Sequence, residues 1–329
     1  MSVQLWKVLL PALGLSIMWT ACQKDQSATL PEQQTFSDLR LSGTIEDDPA
    51  LVNKAPLLFS ADFLATVRTA RKGTGRPGTT NPVDTTTPPP PTDTTTITPP
   101  PPTDTTVIVQ PPAPLPSSYL ITMPSVRHQG TEGSCVSFAV TYARACEQYY
   151  KTHATSYNDA VNVFSPEYVF DQAGLPDCSG SAVTTSLDLL KNMGVCSWQS
   201  MPYSTNNGCS VVPTATQNAE AANYKIASYS RIIDSDQLAI KTMIASNHAV
   251  IASFTIDGSF KNATAGFIWK SLTGNSGSHT MAICGYDDAK HAYKAINSWG
   301  TNWADAGYIW IDYDFFPVAA SAYTYVMSL

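Results

Sequence analysis

The chain has 329 residues, 43% of them hydrophobic, enough to bury one large core. Its formal charge of −7 leaves no basic footprint, which argues against a nucleic-acid partner. Many of its 24 prolines crowd between residues 77 and 116, so the remainder reads as a single globular segment rather than two domains.

At the N-terminus, Lys7 supplies a positive charge and residues 8–18 an apolar stretch. Thr20 and Ala21 place small residues ahead of Cys22, the pattern of an export signal. Pro11 interrupts the stretch, which is shorter than the roughly 20 apolar residues of a membrane span. A cysteine directly after the small residues resembles the lipobox of bacterial lipoproteins, with Trp19 standing where Leu is usual. That resemblance implies lipidation at Cys22, a signal peptide over 1–22 and attachment to the outer membrane of a bacterium through an N-terminal lipid. Gln23, Lys24, Asp25 and Gln26 resemble the signal that sends such lipoproteins to the cell surface in one Gram-negative group, and equally suit a soluble spacer.

Residues 23–73 read as a spacer or short pro-segment. A short helix is expected from Ser60 as N-cap, with Phe63, Leu64 and Val67 on one face and Gly73 past its end. Residues 74–116 are of low complexity, with the unit PPPPTDTT beginning at Pro88 and again at Pro99. Proline runs favour a polyproline rod of ~3.1 Å per residue, so this stretch reads as a disordered Pro/Thr-rich stalk reaching on the order of 100 Å. Its Asp-Thr-Thr triplets resemble O-glycosylation acceptors, which implies sugars on Thr85, Thr94 and Thr105. Solubility alone explains the same residues.

Globular composition resumes by residue 117 and continues to 329. Helices are expected over 135–150 and 181–193, the second stopped by Gly194. After about residue 222, HAVIASFTI, HTMAICGY, AYKAINSW and GYIWIDY are short β-branched and aromatic runs separated by turn residues. Helices first and strands later point to an α+β fold with two lobes. With Cys22 set aside, Cys146 and Cys284 fall on apolar faces, and Cys178, Cys196 and Cys209 compete for one disulfide.

Gly133-Ser134-Cys135 followed by an apolar helical run places a sulfur at a helix start, where the helix dipole favours a thiolate. A thiolate also needs a base. Of the five histidines, His128 reads as a turn residue, His153 follows the first helix, His248 precedes a strand and His291 sits at a hairpin tip. His279 opens an apolar strand, well placed to project into a cleft. Asn297 ends another strand ahead of Trp299, so its side chain can fix the imidazole tautomer while the indole shields the bond.

Together QGTEGSCVSFA, HTMAICGY and NSWGTNWADAGYIWI resemble the papain-like cysteine peptidases, with FSPEYVFDQ and GVCSWQSMPYS as weaker landmarks. The distance from Cys135 to His279 lies within the ~130–150 residues usual for that family. The resemblance implies a papain-like domain over 117–329, with a mainly helical N-terminal lobe, a β-barrel-like C-terminal lobe and the active-site cleft between them. It implies Cys135 as nucleophile, His279 as base and then acid, Asn297 as its orienter, and an oxyanion hole from Gln129 and the Cys135 N–H. Gly180, Ser181, Ser278 and Trp299 become candidates for the substrate groove. The implied reaction is peptide hydrolysis through a thioester, on peptide or protein substrates, by a monomer, with no metal and no cofactor. Glu132 stands where the family has a cysteine, so Cys178 must bridge elsewhere or stay free. At the cleft, Glu132 is expected either to favour basic peptides or to be an idle exposed carboxylate. Ser181 replaces the second residue of a Gly-Gly pair, and the charged pro-helix of the family's zymogens is absent. Two other functions fit the same residues: a catalytically weak binding or adhesion module, and a thiol amidase acting on cell-wall peptides.

Overall fold

Two short elements precede the stretch read as a stalk: helix α1, Pro49–Val52, and strand β1, Leu57–Ser60. Asp48 caps α1 by accepting from the Ala50 N–H at 2.8 Å. Strand β2, Thr106–Val109, follows the stretch and pairs in parallel with β1, Leu57 opposite Thr106. The computed structural model describes residues 43–60, 106–109, 114–205 and 207–329, all belonging to one compact unit, Phe36–Leu329. Cys22, the residues that would follow Ser60 in a helix, and Thr85, Thr94 and Thr105 lie outside the described residues. No described helix is long and apolar enough to cross a membrane.

These N-terminal elements change two expectations. Ser60 does not start a helix: it ends β1, held by Asp236, which accepts from its N–H at 2.7 Å and its hydroxyl at 2.6 Å. The sheet also does not begin at 117, because residues 57–60 and 106–109 are built into it. Residues 61–105 lie in sequence between β1 and β2, which are parallel neighbours at one edge of that sheet.

The helical half follows. After β3, Ser118–Leu120, come α2, Cys135–Lys151, α3, Pro166–Ala173, α4, Val183–Asn192, and α5, Ala215–Ala221. Helix α3 starts at the capping hydroxyl of Ser165, with Pro166 at N1 and Glu167 in its first turn. Helix α5 carries a capping box between Thr214 and Gln217. Beyond α4, Gly194 turns the chain at φ +87°, and a Cβ there would lie 1.8 Å from the Ala221 carbonyl oxygen. Only glycine fits that exit. Helix α2 is buried on every face through Glu147, including Arg144, whose guanidinium lies over the Phe164 ring.

Strands dominate the rest: β4, Ser228–Ile233, β5, Val250–Ile256, β6, Ile268–Trp269, β7, Gly277–Asp287, β8, Ala292–Ile296, β9, Tyr308–Asp312, and β10, Tyr323–Ser328. Helices α6, Gln237–Ala245, α7, Gly258–Lys261, and α8, Phe316–Ala319, lie between them. The sheet runs β2-β1-β4-β10-β5-β7-β8-β9-β6, with β3 added on β7. β7 is central, paired with β5 and β8, and α2 packs against it. One apolar core spans both halves, from Phe138 and Leu187 to Ile283 and Trp303. That packing brings the start of α2 to the start of β7.

Candidate active site

Cys135 is the first residue of α2 and is fully buried. Ser134 holds the N-cap position but makes no cap, because its hydroxyl bonds the Tyr203 hydroxyl at 2.7 Å. The first-turn N–H groups therefore remain for the sulfur, and the Val136 N–H is among the groups that favour its thiolate. Burial nevertheless pushes the Cys135 thiol up, against the Thr44 hydroxyl and the Thr280 N–H that also favour the thiolate.

His279, in the buried part of β7, places Nε2 2.7 Å from Asn297 Oδ1 at the end of β8. Asn297 Oδ1 also accepts from the Ser298 N–H at 2.7 Å, which identifies it as the carbonyl oxygen. The imidazole therefore carries its proton on Nε2, and Nδ1 is the basic nitrogen. Nδ1 is buried without a hydrogen-bond partner. Trp299 lies 4.7 Å from the imidazole, centroid to centroid, and Phe260 5.8 Å. These rings exclude water from the His279–Asn297 bond, and burial lowers His279 to about 4. With the cleft as it stands, burial disfavours both the thiolate and the imidazolium.

Gln129 is fixed at three points. Its N–H donates to the Ser298 carbonyl at 2.8 Å, its Oε1 lies 2.6 Å from the Ser298 hydroxyl, and its Nε2 donates to the Glu132 carbonyl at 2.9 Å. One amide hydrogen is spent on Glu132, leaving the second to meet an oxyanion. Ser298 thus ties the Gln129 turn to the end of β8 at Asn297, a role its place beside Asn297 in NSWG did not announce.

Glu132 corrects an expectation. It is 9% exposed, and its two carboxylate oxygens accept from the Tyr203 hydroxyl and the Gly208 N–H, both at 2.8 Å. It neither idles in solvent nor faces a substrate; it pins the 203–208 loop to the turn that carries Gln129. The nearby disulfide joins Cys178 to Cys209, leaving Cys196 free and buried with Cys146 and Cys284.

The groove candidates are engaged by the chain itself. Residues 43–47 run through the cleft as an extended strap. The Ser181 N–H donates to the Gly43 carbonyl and the Ile45 N–H to the Ser181 carbonyl, both at 3.0 Å. Ser278 donates its hydroxyl to the Thr44 carbonyl at 2.8 Å. A Cβ at Gly43 would lie 2.8 Å from the Cys135 sulfur, and one at Gly180 2.4 Å from the Gly43 carbonyl, so both glycines permit the close approach. The Thr44 hydroxyl sits 3.5 Å from the sulfur and 2.6 Å from the Thr280 hydroxyl. Asp47 latches the far end. One of its oxygens accepts from the Thr184 N–H at 2.7 Å and hydroxyl at 2.8 Å, the other from the Tyr325 hydroxyl at 2.8 Å. Because Ala182 offers α4 no side-chain cap, Asp47 caps that helix from outside. The motifs do not reveal the strap or the roles of Thr280, Ser298 and Tyr203, although HTMAICGY, NSWG and GVCSWQSMPYS contain those three residues.

Residues 118–323 match the model of the papain family cysteine proteases. The chain belongs to the papain family. Within it, the chain is 28% identical over 185 residues to gamete and mating-type specific protein A of Dictyostelium discoideum, covering 56% of this chain and 39% of that protein. It is 25% identical over 191 residues to a cathepsin L-like proteinase of Fasciola hepatica, covering 56% and 55%. The matched region thus spans about half or less of these relatives' own lengths. Among solved structures, xylellain, a cysteine protease from Xylella fastidiosa, superposes with a TM-score of 0.57 at 23% identity, over 66% of this chain and 87% of that one. The bromelain protease of Ananas comosus, solved with the E64 inhibitor, does so at 0.54 and 21%, over 65% and 99%. The fold is papain-like, α+β.

Proposed function

We propose that this protein hydrolyses peptide bonds as a cysteine endopeptidase, with Cys135, His279 and Asn297 as its catalytic residues. The observation that carries this reading is the 2.7 Å bond from His279 Nε2 to Asn297 Oδ1, which leaves Nδ1 as an unpartnered base in the same buried cleft as a helix-start thiol. Cys135 Sγ gives its proton to His279 Nδ1 and attacks the scissile carbonyl carbon. The second Gln129 amide hydrogen and the Cys135 N–H meet the oxyanion. Collapse breaks the C–N bond, the imidazolium protonates the leaving amine, and a thioester remains. Water, deprotonated by His279, cleaves the thioester to a carboxylic acid and restores the thiol.

A peptide cannot share the cleft with residues 43–47, so catalysis requires the strap to leave. Its exit readmits water and removes the burial that now disfavours the thiolate and the imidazolium. The covered sulfur also gives substance to the catalytically weak binding module as a second reading. Peptide hydrolysis by the full chain, measured beside Cys135→Ala and beside labelling of Cys135 by a thiol-reactive epoxide, separates the two. The peptidase reading expects both signals and their loss in Cys135→Ala. Labelling without turnover selects the binding module, and turnover that survives Cys135→Ala overturns the site.

The export signal ending at Cys22 supports a lipid-anchored protein of the bacterial outer membrane. In that setting residues 23–42 lie in sequence between the anchor and the strap. Metabolic labelling with a fatty-acid analogue tests the anchor, with Cys22→Ala as the control that must lose the label.

A further inference from the structure

The strap is an extended peptide bound in the cleft, and its contacts show which side chain the cleft holds. Thr44 is gripped on its backbone by Ser181 on one side, through the Gly43 carbonyl and the Ile45 N–H, and by the Ser278 hydroxyl on the other. Its side chain enters a polar corner. Ser253 on β5 stands opposite Thr280 on β7 in antiparallel register, and their hydroxyls lie 2.9 Å apart, both buried. The Thr44 hydroxyl completes a row of three, 2.6 Å from that of Thr280. A hydroxyl has one hydrogen and two lone pairs, so Thr280 can donate to one neighbour and accept from the other. An apolar side chain in the place of Thr44 would leave Thr280 half satisfied where water does not reach, and that asymmetry is what makes a buried hydroxyl selective. Beyond the corner lies a cavity of about 580 Å³ lined by Thr44, Ser253, Ser278, Tyr323 and Tyr325 among others, so the selection is chemical rather than steric.

We infer that the Thr280–Ser253 pair is a subsite for a small hydroxylated side chain, threonine or serine, of an extended peptide in the cleft. Its extension to cleaved substrates rests on the peptidase reading, which then favours peptides with Thr or Ser at the position paired with Ser181.

Two readouts on the full chain test it. The first needs no turnover: the rate at which iodoacetamide alkylates Cys135. Thr44→Val, which keeps shape and loses the hydroxyl, should raise that rate about tenfold, whereas Thr44→Ser should leave it within about twofold of wild type. Thr280→Val should act like Thr44→Val, and the double variant should exceed neither by much, because the contact that holds the strap side chain, between the Thr44 and Thr280 hydroxyls, is lost in each. Thr280→Ser should retain the wild-type rate, showing that the position folds when its hydroxyl is kept. The second readout is hydrolysis by the Thr44→Val chain of peptides differing only in Thr, Ser, Val or Leu at the position paired with Ser181. Thr and Ser should exceed Val about tenfold in kcat/KM, and Thr280→Val should erase the difference. Equal alkylation of Thr44→Val and Thr44→Ser overturns the subsite, as does a Thr preference that survives Thr280→Val. Faster alkylation of Thr44→Val with no peptide cleaved supports the subsite and overturns the peptidase reading instead.

Discussion

The His279–Asn297 pair and the strap over Cys135 occupy one cleft and are held by opposite means. His279 and Asn297 sit in an aromatic enclosure of Phe260, Trp299 and Trp303, fully buried, with their mutual bond shielded from water. The strap is held by backbone pairs to Ser181, by the hydroxyls of Ser278 and Thr280, and by the three bonds to Asp47, at residues that remain partly exposed beyond Gly43. Polar contacts that water can replace add little net stability each, whereas an apolar enclosure cannot open without exposing the core. The His279–Asn297 geometry is therefore fixed, and the cover over the thiol is removable.

Breaking the enclosed half should have the largest effect. His279→Ala removes the base, and peptide hydrolysis should fall by at least ~10³-fold; Gln129→Ala removes one oxyanion donor and should cost ~10²–10³ in kcat. Circular dichroism that matches wild type shows the loss to be chemical. Glu132→Ala next attacks the support of the Gln129 turn. It orphans the Gly208 N–H and leaves the Tyr203 hydroxyl to Ser134 and the Gln129 carbonyl, and thermal or urea unfolding should show a loss of about 1–3 kcal/mol.

Strap contacts should yield smaller, opposite effects on the sulfur. Asp47→Ala deletes the external cap of α4 and the bond from Tyr325, so alkylation of Cys135 should quicken about tenfold, and Asp47→Asn less. An unchanged rate would show that β1 and the Ser181 pairing hold the strap without its latch.

Acid gives the smallest contrast. His279 is held at about 4, below its ordinary 6.5, so the folded, covered form binds fewer protons than the unfolded chain between these values. Its contribution is intact above pH 6.5 and is lost as pH falls toward 4, by about 1–2 kcal/mol at pH 5. Asp171 and Asp234 act with the opposite sign, because burial raises them to about 7 and about 8 and acid favours their folded, protonated forms. Comparing unfolding of wild type and His279→Asn across pH 4–7 isolates the histidine. The wild type should lose more stability than the variant on acidification, and parallel curves would contradict the buried neutral imidazole.

Much of the catalytic half was legible in the residues. A glycine-rich turn before an apolar helical run marks the start of α2, and a histidine opening an apolar strand and an asparagine closing the next one mark the two residues that bond each other, because strand periodicity and breaker residues are local signals. Helix boundaries followed for the same reason: the 135–150 expectation became Cys135–Lys151, and Gly194 stops α4 as its positive φ requires. The strap was not legible. Residues 43–47 carry no periodicity, and their conformation is set by partners far along the chain, from Ser181 to Tyr325. Glu132 misled because a charged residue in a turn usually faces water, and only the folded loop supplied Tyr203 and Gly208 as its donors.

What the sequence by itself determined is the chemistry, a thiol at a helix start with an imidazole, an amide partner and a glutamine in family order, since each announces itself through neighbours close in the chain. Tertiary structure alone decided what stands in front of that thiol and which cysteines pair. Cys178 takes Cys209 rather than Cys196 because Cys196 is buried in the core between α4 and α5 while the 203–209 loop returns to the chain beyond α3. The strap reaches Cys135 because β1 joins the sheet at β4 and directs the residues before it across the cleft. Both depend on contacts between residues far apart in sequence, which local patterns do not encode.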